Sequence, residues 1–234
     1  MGQFKNSVEQ ASANATEALK MKIRRLITEA TRGDYEVRHM IISMLAYQNR
    51  FRAALELFDF DQLEQLWMVL NTSRHRQATV FVAGNGGSAT TATHIANDWM
   101  LGTGIINPPL RVICLTDNSA ALTATGNDQT FERIFVRQLE HLARPGDLLV
   151  GISASGNSEN LAVSFDYARK IGVNTVGITG FDGGTLAKMA DLSIHVATDI
   201  GDYGVAEDIH LLIGHAVKEL LMSRNSSSEI SRDG

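Results

Sequence analysis

The sequence predicts an α/β fold, a three-layer sandwich in which a five-stranded parallel sheet lies between helices. From residue 78 onward, short apolar segments alternate with longer helical segments. The apolar segments are often β-branched and are bounded by Gly, Pro, Asp or Ser, which is typical of strands buried on both faces. Because repeated strand–helix alternation produces parallel strands covered on both sides, we expect one sheet with flanking helices.

The individual elements follow from the same pattern. Strands are expected at Ala78–Ala83, Arg111–Leu115, Asp147–Ile152, Asn174–Thr179 and Leu192–Val196. Helices are expected between and after them at Ser88–Leu101, Ser119–Thr125, Phe131–Leu142, Ser158–Ile171, Gly184–Ala190 and Val205–Ser223. Ligands of such sheets bind beyond the carboxyl ends of the strands, where the loops meet.

Helical segments also precede the sheet. Residues 1–36 are interpreted as an appended arm, with a helix at Ala11–Thr31 closed by a glycine. Amphipathic spacing predicts further helices at Val37–Phe58 and Phe60–Ser73, so the main domain is expected to cover residues 37–223. The polar tail, residues 224–234, is predicted to be disordered.

Composition excludes several classes of protein. The 234 residues are 44% hydrophobic and 20% charged, which is ordinary for a globular domain. A net charge of −5 without a long Lys/Arg run argues against a nucleic-acid partner. No apolar run approaches the roughly 20 residues that a membrane span needs. A single cysteine, Cys114, excludes an internal disulfide and favours a reducing compartment, so we expect a cytoplasmic protein.

A glycine-rich loop follows the first predicted strand. The sequence Gly84-Asn-Gly-Gly-Ser88 stands between that strand and a helix. Such a loop gathers backbone N–H groups at a helix N-terminus, where the orphan donors and the helix dipole favour an anion. We therefore predict that Asn85, Gly86, Gly87 and Ser88 bind a phosphorylated substrate.

The same loop also matches a dinucleotide-binding pattern. Gly84, Gly86 and Ala89 have the spacing of that pattern. It further requires an acidic residue about 20 residues onward, at the end of the second strand. Asp117 lies further than that from Ala89 and does not directly follow the second predicted strand. We therefore expect no nucleotide cofactor.

A second loop, Ser153-Ala-Ser-Gly-Asn-Ser158, has the same position after the third predicted strand. Ser158 alone would serve as an ordinary helix cap. Capping requires one such residue, whereas this loop has three serines in six positions. We therefore expect Ser153, Ser155 and Ser158 to bind phosphate as well.

Histidines and carboxylates form two groups on two predicted helices. His94 and Asp98 are four residues apart and hence share one helix face. Glu207, His210 and His215 form a polar stripe on the last helix. These side chains suit either general acid/base catalysis or a zinc-like site. Spacing alone neither decides between the two nor shows that the two helices meet.

Taken in order, these motifs resemble the sugar isomerase (SIS) family and, within it, the phosphoheptose isomerases. The resemblance covers roughly residues 37–221. The motifs that carry it are Gly84–Ser88, His94 with Asp98, Leu122–Asp128, Ser153–Ser158, Gly177–Gly180 with Gly183 and Gly184, and Glu207 with His210 and His215.

The resemblance implies both an activity and roles for individual residues. It implies the interconversion of sedoheptulose 7-phosphate and D-glycero-D-manno-heptose 7-phosphate, which supplies heptose for lipopolysaccharide or capsule. By position, the catalytic pair falls at Asp98 and His215. Phosphate contacts fall on the serines of the two loops, and further substrate contacts on Asp128 and Glu207. Some members bind zinc through a set that falls at His94, Asp98, Glu207 and His215. The implied assembly is a homotetramer with sites between subunits, on a flavodoxin-like fold.

Four positions depart from the usual family pattern. The family usually has Glu at Asp98, Gln at Glu207, Arg at Gly102 and Thr at Ala154. The departures at Asp98, Glu207 and Gly102 favour a second hypothesis, isomerisation of a different phosphosugar. A third hypothesis is a non-catalytic SIS protein, either a sugar-phosphate sensor or an assembly protein associated with a replication initiator. That hypothesis predicts loss of the acid/base residues, which this chain retains.

Overall fold

The computed structural model describes residue 21, residues 35–103 and residues 106–229. The described chain divides after Arg52 into two compact units. Nearly all of the predicted arm lies outside the described residues, including every residue of the helix expected at Ala11–Thr31 except Met21. The end of the predicted tail, residues 230–234, lies outside them too, so the domain boundaries stay predictions.

Helices and strands alternate along most of the second unit. The α-helices are α1 (Tyr35–Leu57), α2 (Asp61–His75), α3 (Gly87–Met100), α4 (Ser119–Asp128), α5 (Val136–Leu142), α6 (Glu159–Lys170), α7 (Gly184–Met189) and α8 (Tyr203–Glu229). The strands are β1 (Thr79–Gly84), β2 (Arg111–Cys114), β3 (Leu148–Ser153), β4 (Asn174–Thr179) and β5 (Leu192–His195). Among the described residues, no helix has the length and apolar character needed to cross a membrane.

The five strands form one parallel sheet in the order β2-β1-β3-β4-β5. This confirms the predicted fold class. The chain leaves β1 toward β2 on one side and later returns to β3 on the other, so the strand order reverses between β1 and β3. Gly84 at the end of β1 pairs with Ile152 near the end of β3. The loops that follow these two strands therefore lie side by side at the switch point where α/β proteins bind ligands.

The core covers both faces of the sheet. All residues of β1 and β3 are buried. Phe81 and Leu149 pack with Phe165 of α6 in one hydrophobic cluster. Because side chains alternate along a strand, the neighbours of Phe81 in β1 point to the opposite face. Burial on both faces fixes the directions in which β1 and β3 present the loops that follow them.

Most helix ends lie within three residues of their predicted positions, and two helices differ more than that. The segment expected as one helix at Phe131–Leu142 is a 3₁₀ helix, Phe131–Arg133, followed by α5. The two residues between these helices and the first residue of α5, residues 134–136, are all buried. One regular helix would rotate consecutive side chains away from each other. The last helix ends at Glu229 rather than at Ser223, because neither Pro nor Gly interrupts it.

Candidate active site

Two loops and the start of α8 enclose a pocket at the carboxyl edge of the sheet. Its volume is about 370 Å³. The lining residues include both predicted phosphate loops, with the addition of a tyrosine and a carboxylate from α8: Asn85, Gly86, Gly87, Ser88, Ser153, Ser155, Ser158, Tyr203 and Glu207. Both α3 and α6 begin at this pocket, so two helix N-termini with orphan N–H groups converge on it.

The side chains of the serine loop hydrogen-bond with one another rather than capping α6. The Ser158 side chain forms no capping hydrogen bond with α6. Its hydroxyl instead lies 3.0 Å from the Ser153 hydroxyl, which also accepts a hydrogen bond from the Gly156 N–H at 3.1 Å. The Ser155 hydroxyl accepts from the Asn157 N–H at 3.2 Å. The three hydroxyls therefore form one cluster beside the helix N-terminus, as an anion site requires.

An amide pair joins the two loops. Asn85 and Asn160 exchange two side-chain hydrogen bonds, of 2.8 and 2.9 Å. Asn160 is buried in the first turn of α6, and the sequence analysis did not identify it. The predicted role of Asn85 in substrate binding stays a prediction, and its amide also holds the β1 loop against α6.

His94, Asp98 and His215 lie together where α3 and α8 pack. The Nε2 atoms of His94 and His215 are 3.1 Å apart. Asp98 Oδ2 lies 3.7 Å from His94 Nε2 and 3.5 Å from His215 Nε2. The structure thus brings together two residues of one helix and a residue 121 positions away, which sequence spacing could not do.

This cluster opens to solvent on one side. The side chains of His94 and His215 are 47% and 44% exposed, whereas Asp98 is 13% exposed. One ligand atom from each residue lies within 4.8 Å of the others. Two imidazole nitrogens and a carboxylate oxygen are suitable zinc ligands, with room for a further ligand on the open side. Among the described residues, the donor chemistry of this cluster therefore fits a divalent metal.

Glu207, the fourth predicted metal ligand, is not in this cluster. Its carboxylate lies against Gly87, so close that a Cβ atom on that glycine would overlap it. Burial raises the pKa of Glu207 above its ordinary value, and the charge of Asp208 raises it further. The structure therefore places Glu207 in the lining of the pocket, and its predicted substrate contact stays a prediction.

The pocket and the cluster lie along the same two helices. Gly87 faces Glu207 near the start of α3 and α8, and His94 faces His215 further along both helices, so the two helices run in the same direction. Seven residues of α3 separate Gly87 from His94, which corresponds to about 10 Å along the helix axis. This separation suits an extended sugar phosphate that is bound at one end and reacts at the other.

Two other polar residues lie apart from these sites. Asp128, a predicted substrate contact, is exposed at the end of α4, where it accepts a hydrogen bond from Asn127. His210 is fully buried, and neither ring nitrogen has a hydrogen-bond partner of standard geometry. Burial lowers its pKa to about 4, with a smaller contribution from nearby His195 and an opposing one from the Thr179 backbone. The polar stripe expected on α8 therefore divides, with His215 facing α3 and His210 in the core.

Two residues that shape the site were missed from the sequence. Trp99 is fully buried, and its indole N–H donates to the Gly214 carbonyl at 3.1 Å. Gly214 lies in the middle of an apolar helix, where glycine is unfavourable unless another backbone or side chain approaches closely. That glycine was the available signal, although the sequence does not say which helix approaches it.

Comparisons with known proteins identify the family of this chain. A family model described as the SIS domain matches residues 46–180. A phosphoheptose isomerase of Nitratidesulfovibrio vulgaris is 41% identical over 157 residues, which cover 66% of this chain and 73% of the relative. Another, from Chlorobaculum parvum, is 33% identical over 198 residues, which cover 84% of this chain and 94% of the relative.

Solved structures show the same fold. The phosphoheptose isomerase of Neisseria gonorrhoeae has a TM-score of 0.71 and 28% identity, over 80% of this chain and 98% of that chain. A phosphoheptose isomerase of Francisella tularensis has a TM-score of 0.72 at 24% identity, with the same coverage. At 24% identity, the similarity to the Francisella tularensis protein shows the fold alone.

The contact between Gly87 and Glu207 predicts that Gly87→Ala weakens anion binding. The added Cβ would overlap the Glu207 carboxylate, so either that side chain or the start of α3 must move. We expect the affinity for inorganic phosphate, measured by calorimetry, to fall at least about tenfold, equivalent to about 1.4 kcal/mol. Gly126→Ala is the matched control, because a Cβ at that helical position has room. Equal phosphate affinity in both variants and the wild type would contradict the prediction.

The burial of His210 predicts a loss of stability in acid. The pKa of this histidine is about 4 in the folded protein and about 6.5 in an unfolded chain. Between these values the unfolded chain binds more protons, so the free energy of unfolding falls as pH falls, by up to about 1.4 kcal/mol per pH unit. We expect His210→Leu to flatten this slope in denaturant titrations at pH 4–6.5. Exposed His141, replaced by Leu, should leave the slope intact, and an unchanged slope in His210→Leu would contradict the assignment.

Proposed function

The chain belongs to the SIS domain family, and on that premise we propose that it is a phosphoheptose isomerase. Its substrate is then a ketoheptose phosphate, sedoheptulose 7-phosphate, and its product the aldose D-glycero-D-manno-heptose 7-phosphate. Several relatives with 31–41% identity have the name phosphoheptose isomerase, which supports this substrate class.

One observation carries the proposal. A pocket with two helix N-termini and three serine hydroxyls lies about 10 Å along α3 from a cluster of two histidines and an aspartate. The first feature suits a phosphate, and the second suits proton transfer at the far end of the same molecule. An acyclic heptose phosphate has this arrangement, with the phosphate on C7 and the reacting carbons at C1 and C2.

The pocket binds and orients the substrate in this proposal. The backbone N–H groups at the starts of α3 and α6 and the hydroxyls of Ser153, Ser155 and Ser158 hold the phosphate oxygens. The part of the chain that the structure describes contributes neither Lys nor Arg to the lining, so neutral donors and the two helix dipoles provide the attraction. With the phosphate fixed, the C1–C2 end lies at Asp98 and His215, which reduces the entropic cost of reaching the reactive geometry.

The reaction requires a base and an acid at adjacent carbons. Removal of the C1 proton from the ketose leaves its electron pair to form a C1–C2 double bond, while the C2 oxygen gains a proton to give the enediol. Loss of the O1 proton and delivery of a proton to C2 then give the aldose. Asp98 and His215, 3.5 Å apart, share these transfers as carboxylate and imidazole. Glu207, at the phosphate pocket, contacts the sugar hydroxyls.

A divalent metal, most suitably zinc, fits the cluster of His94, Asp98 and His215. When bound, such a cation supplies Lewis-acid stabilisation of negative charge on the substrate oxygens. The half-exposed imidazoles leave an open side through which a substrate oxygen can approach.

We also infer a homotetramer with sites at subunit interfaces. The described part of α1 exposes large apolar side chains, including Met40, Ile42 and Met44, which is unusual for a monomeric surface. The reactive cluster is likewise half-exposed in a single chain, so a neighbouring subunit would enclose it. Sedimentation of the purified protein at the mass of one chain would contradict this inference.

The activity predicts that Asp98→Asn and His215→Ala each reduce turnover of sedoheptulose 7-phosphate. Loss of a general acid or base removes roughly 10²- to 10⁴-fold in kcat. The measurement is the rate of aldose phosphate formation by the purified variants, with and without added zinc after chelation. His141→Ala is the matched control, because this exposed histidine lies outside both sites.

The outcomes separate the candidate functions. Wild-type turnover that both site variants lose and His141→Ala retains supports the heptose isomerase. Turnover of another aldose or ketose phosphate, with the same variant pattern, would correct the substrate but keep the reaction. Tight sugar-phosphate binding without turnover of any phosphosugar would favour a sensor over an enzyme.

A further inference from the structure

The helices α3 and α8 pack closely against each other beside the reactive residues. A Cβ on Gly214 would overlap the Ile95 side chain, with its Cδ1 only 2.8 Å away. Ile95 is fully buried, and a β-branched residue in a helix has one strongly preferred χ1 rotamer. It therefore cannot swing aside, and any side chain at position 214 would push the helices apart.

Trp99 fixes the same contact through a hydrogen bond. Its indole N–H donates to the Gly214 carbonyl at 3.1 Å, and the ring is fully buried. A packed ring with one donor allows only a narrow range of helix separations and rotations, because losing the bond would leave the buried N–H unsatisfied. Ile95, Trp99 and Gly214 thus hold the two helices at a defined separation, and we refer to these three residues as the helix clamp.

Each member of the helix clamp is a sequence neighbour of a reactive residue. Ile95 follows His94, Trp99 follows Asp98, and Gly214 precedes His215. The separation of the helices therefore sets the distance of 3.5 Å between Asp98 Oδ2 and His215 Nε2. An aspartate has one methylene group between backbone and carboxylate, so it cannot follow if the opposite helix moves away.

We propose that the helix clamp is a positioning device matched to the short Asp98 side chain. Its residues touch neither substrate nor metal, and they act by holding Asp98 and His215 within mutual reach. The catalytic part of this inference rests on the proposed isomerase function, whereas the metal-binding part does not. A misplacement of about 1 Å can cost about 10²-fold in rate, so a clamp of this kind controls the activity.

Compensation between two substitutions tests the match. Gly214→Ala widens the separation, and we expect kcat/KM for the heptose phosphate to fall about 10²-fold. Asp98→Glu alone makes the carboxylate too long for the close separation, and we expect a fall of at least tenfold. The double variant restores the reach across the wider gap, so it should exceed Gly214→Ala by at least tenfold. Zinc affinity, measured by calorimetry, should follow the same order.

Comparison of the double variant with the two single variants distinguishes positioning from simple core packing. A fold-loss of kcat/KM in the double variant that equals the product of the fold-losses in the two single variants would overturn the match between the helix clamp and Asp98. If the wild type does not isomerise the heptose phosphate but binds zinc, the proposed function fails and the clamp is judged by the zinc order alone. A wild type without turnover and without zinc affinity overturns both.

Trp99→Phe provides a second test that retains an aromatic ring and removes the donor. We expect kcat to fall at least about tenfold while KM changes little, because the phosphate pocket is remote from the clamp. Phe165→Leu is the matched control, since it reduces a fully buried aromatic side chain on the other face of the sheet. If Trp99→Phe and Phe165→Leu had the same melting temperature and the same kcat, Trp99 would contribute only to core packing. That result would contradict its positioning role.

Discussion

The close approach of α3 and α8 is the contact on which the candidate site depends. Each helix begins at the carboxyl edge of the sheet, and both run in the same direction away from it. Their first turns therefore border the phosphate pocket, and their middle turns bring the imidazoles and the carboxylate together. A parallel pair of helices thus creates two different chemical environments at a fixed separation. The sheet holds this pair of helices in place.

Most of the sheet could be predicted from the sequence, because parallel strands buried on both faces have a distinct pattern. Asn174–Thr179 has the same bounds in prediction and structure, and the other strands agree within one residue at each end. Helix ends were less predictable, since they depend on which side chains the core accepts. The split between the 3₁₀ helix and α5 follows from three adjacent buried residues, which no single helical period explains.

The candidate site likewise has one part that could be predicted from the sequence and one part that could not. Its two anion loops follow from local sequence, because glycines and serines at a helix start have meaning without tertiary structure. The His94, Asp98 and His215 cluster depends on two helices meeting across 121 residues, and local spacing contains no such information. The same limit applies to the Asn85–Asn160 pair and to the burial of His210, which only packing defines. Family resemblance supplied the catalytic pairing that the residues alone left open.

One consequence concerns the first turns of α3 and α6. Neither helix receives a side-chain hydrogen bond from its N-cap residue, Gly86 or Ser158. An ordinary cap contributes about 1 kcal/mol to folding, so the chain forgoes this contribution at two helices that share one pocket. A bound phosphate can satisfy the same donors and thereby acts as the missing cap of both helices. An anion that binds the folded chain at these donors would therefore also stabilise it against unfolding, by mass action.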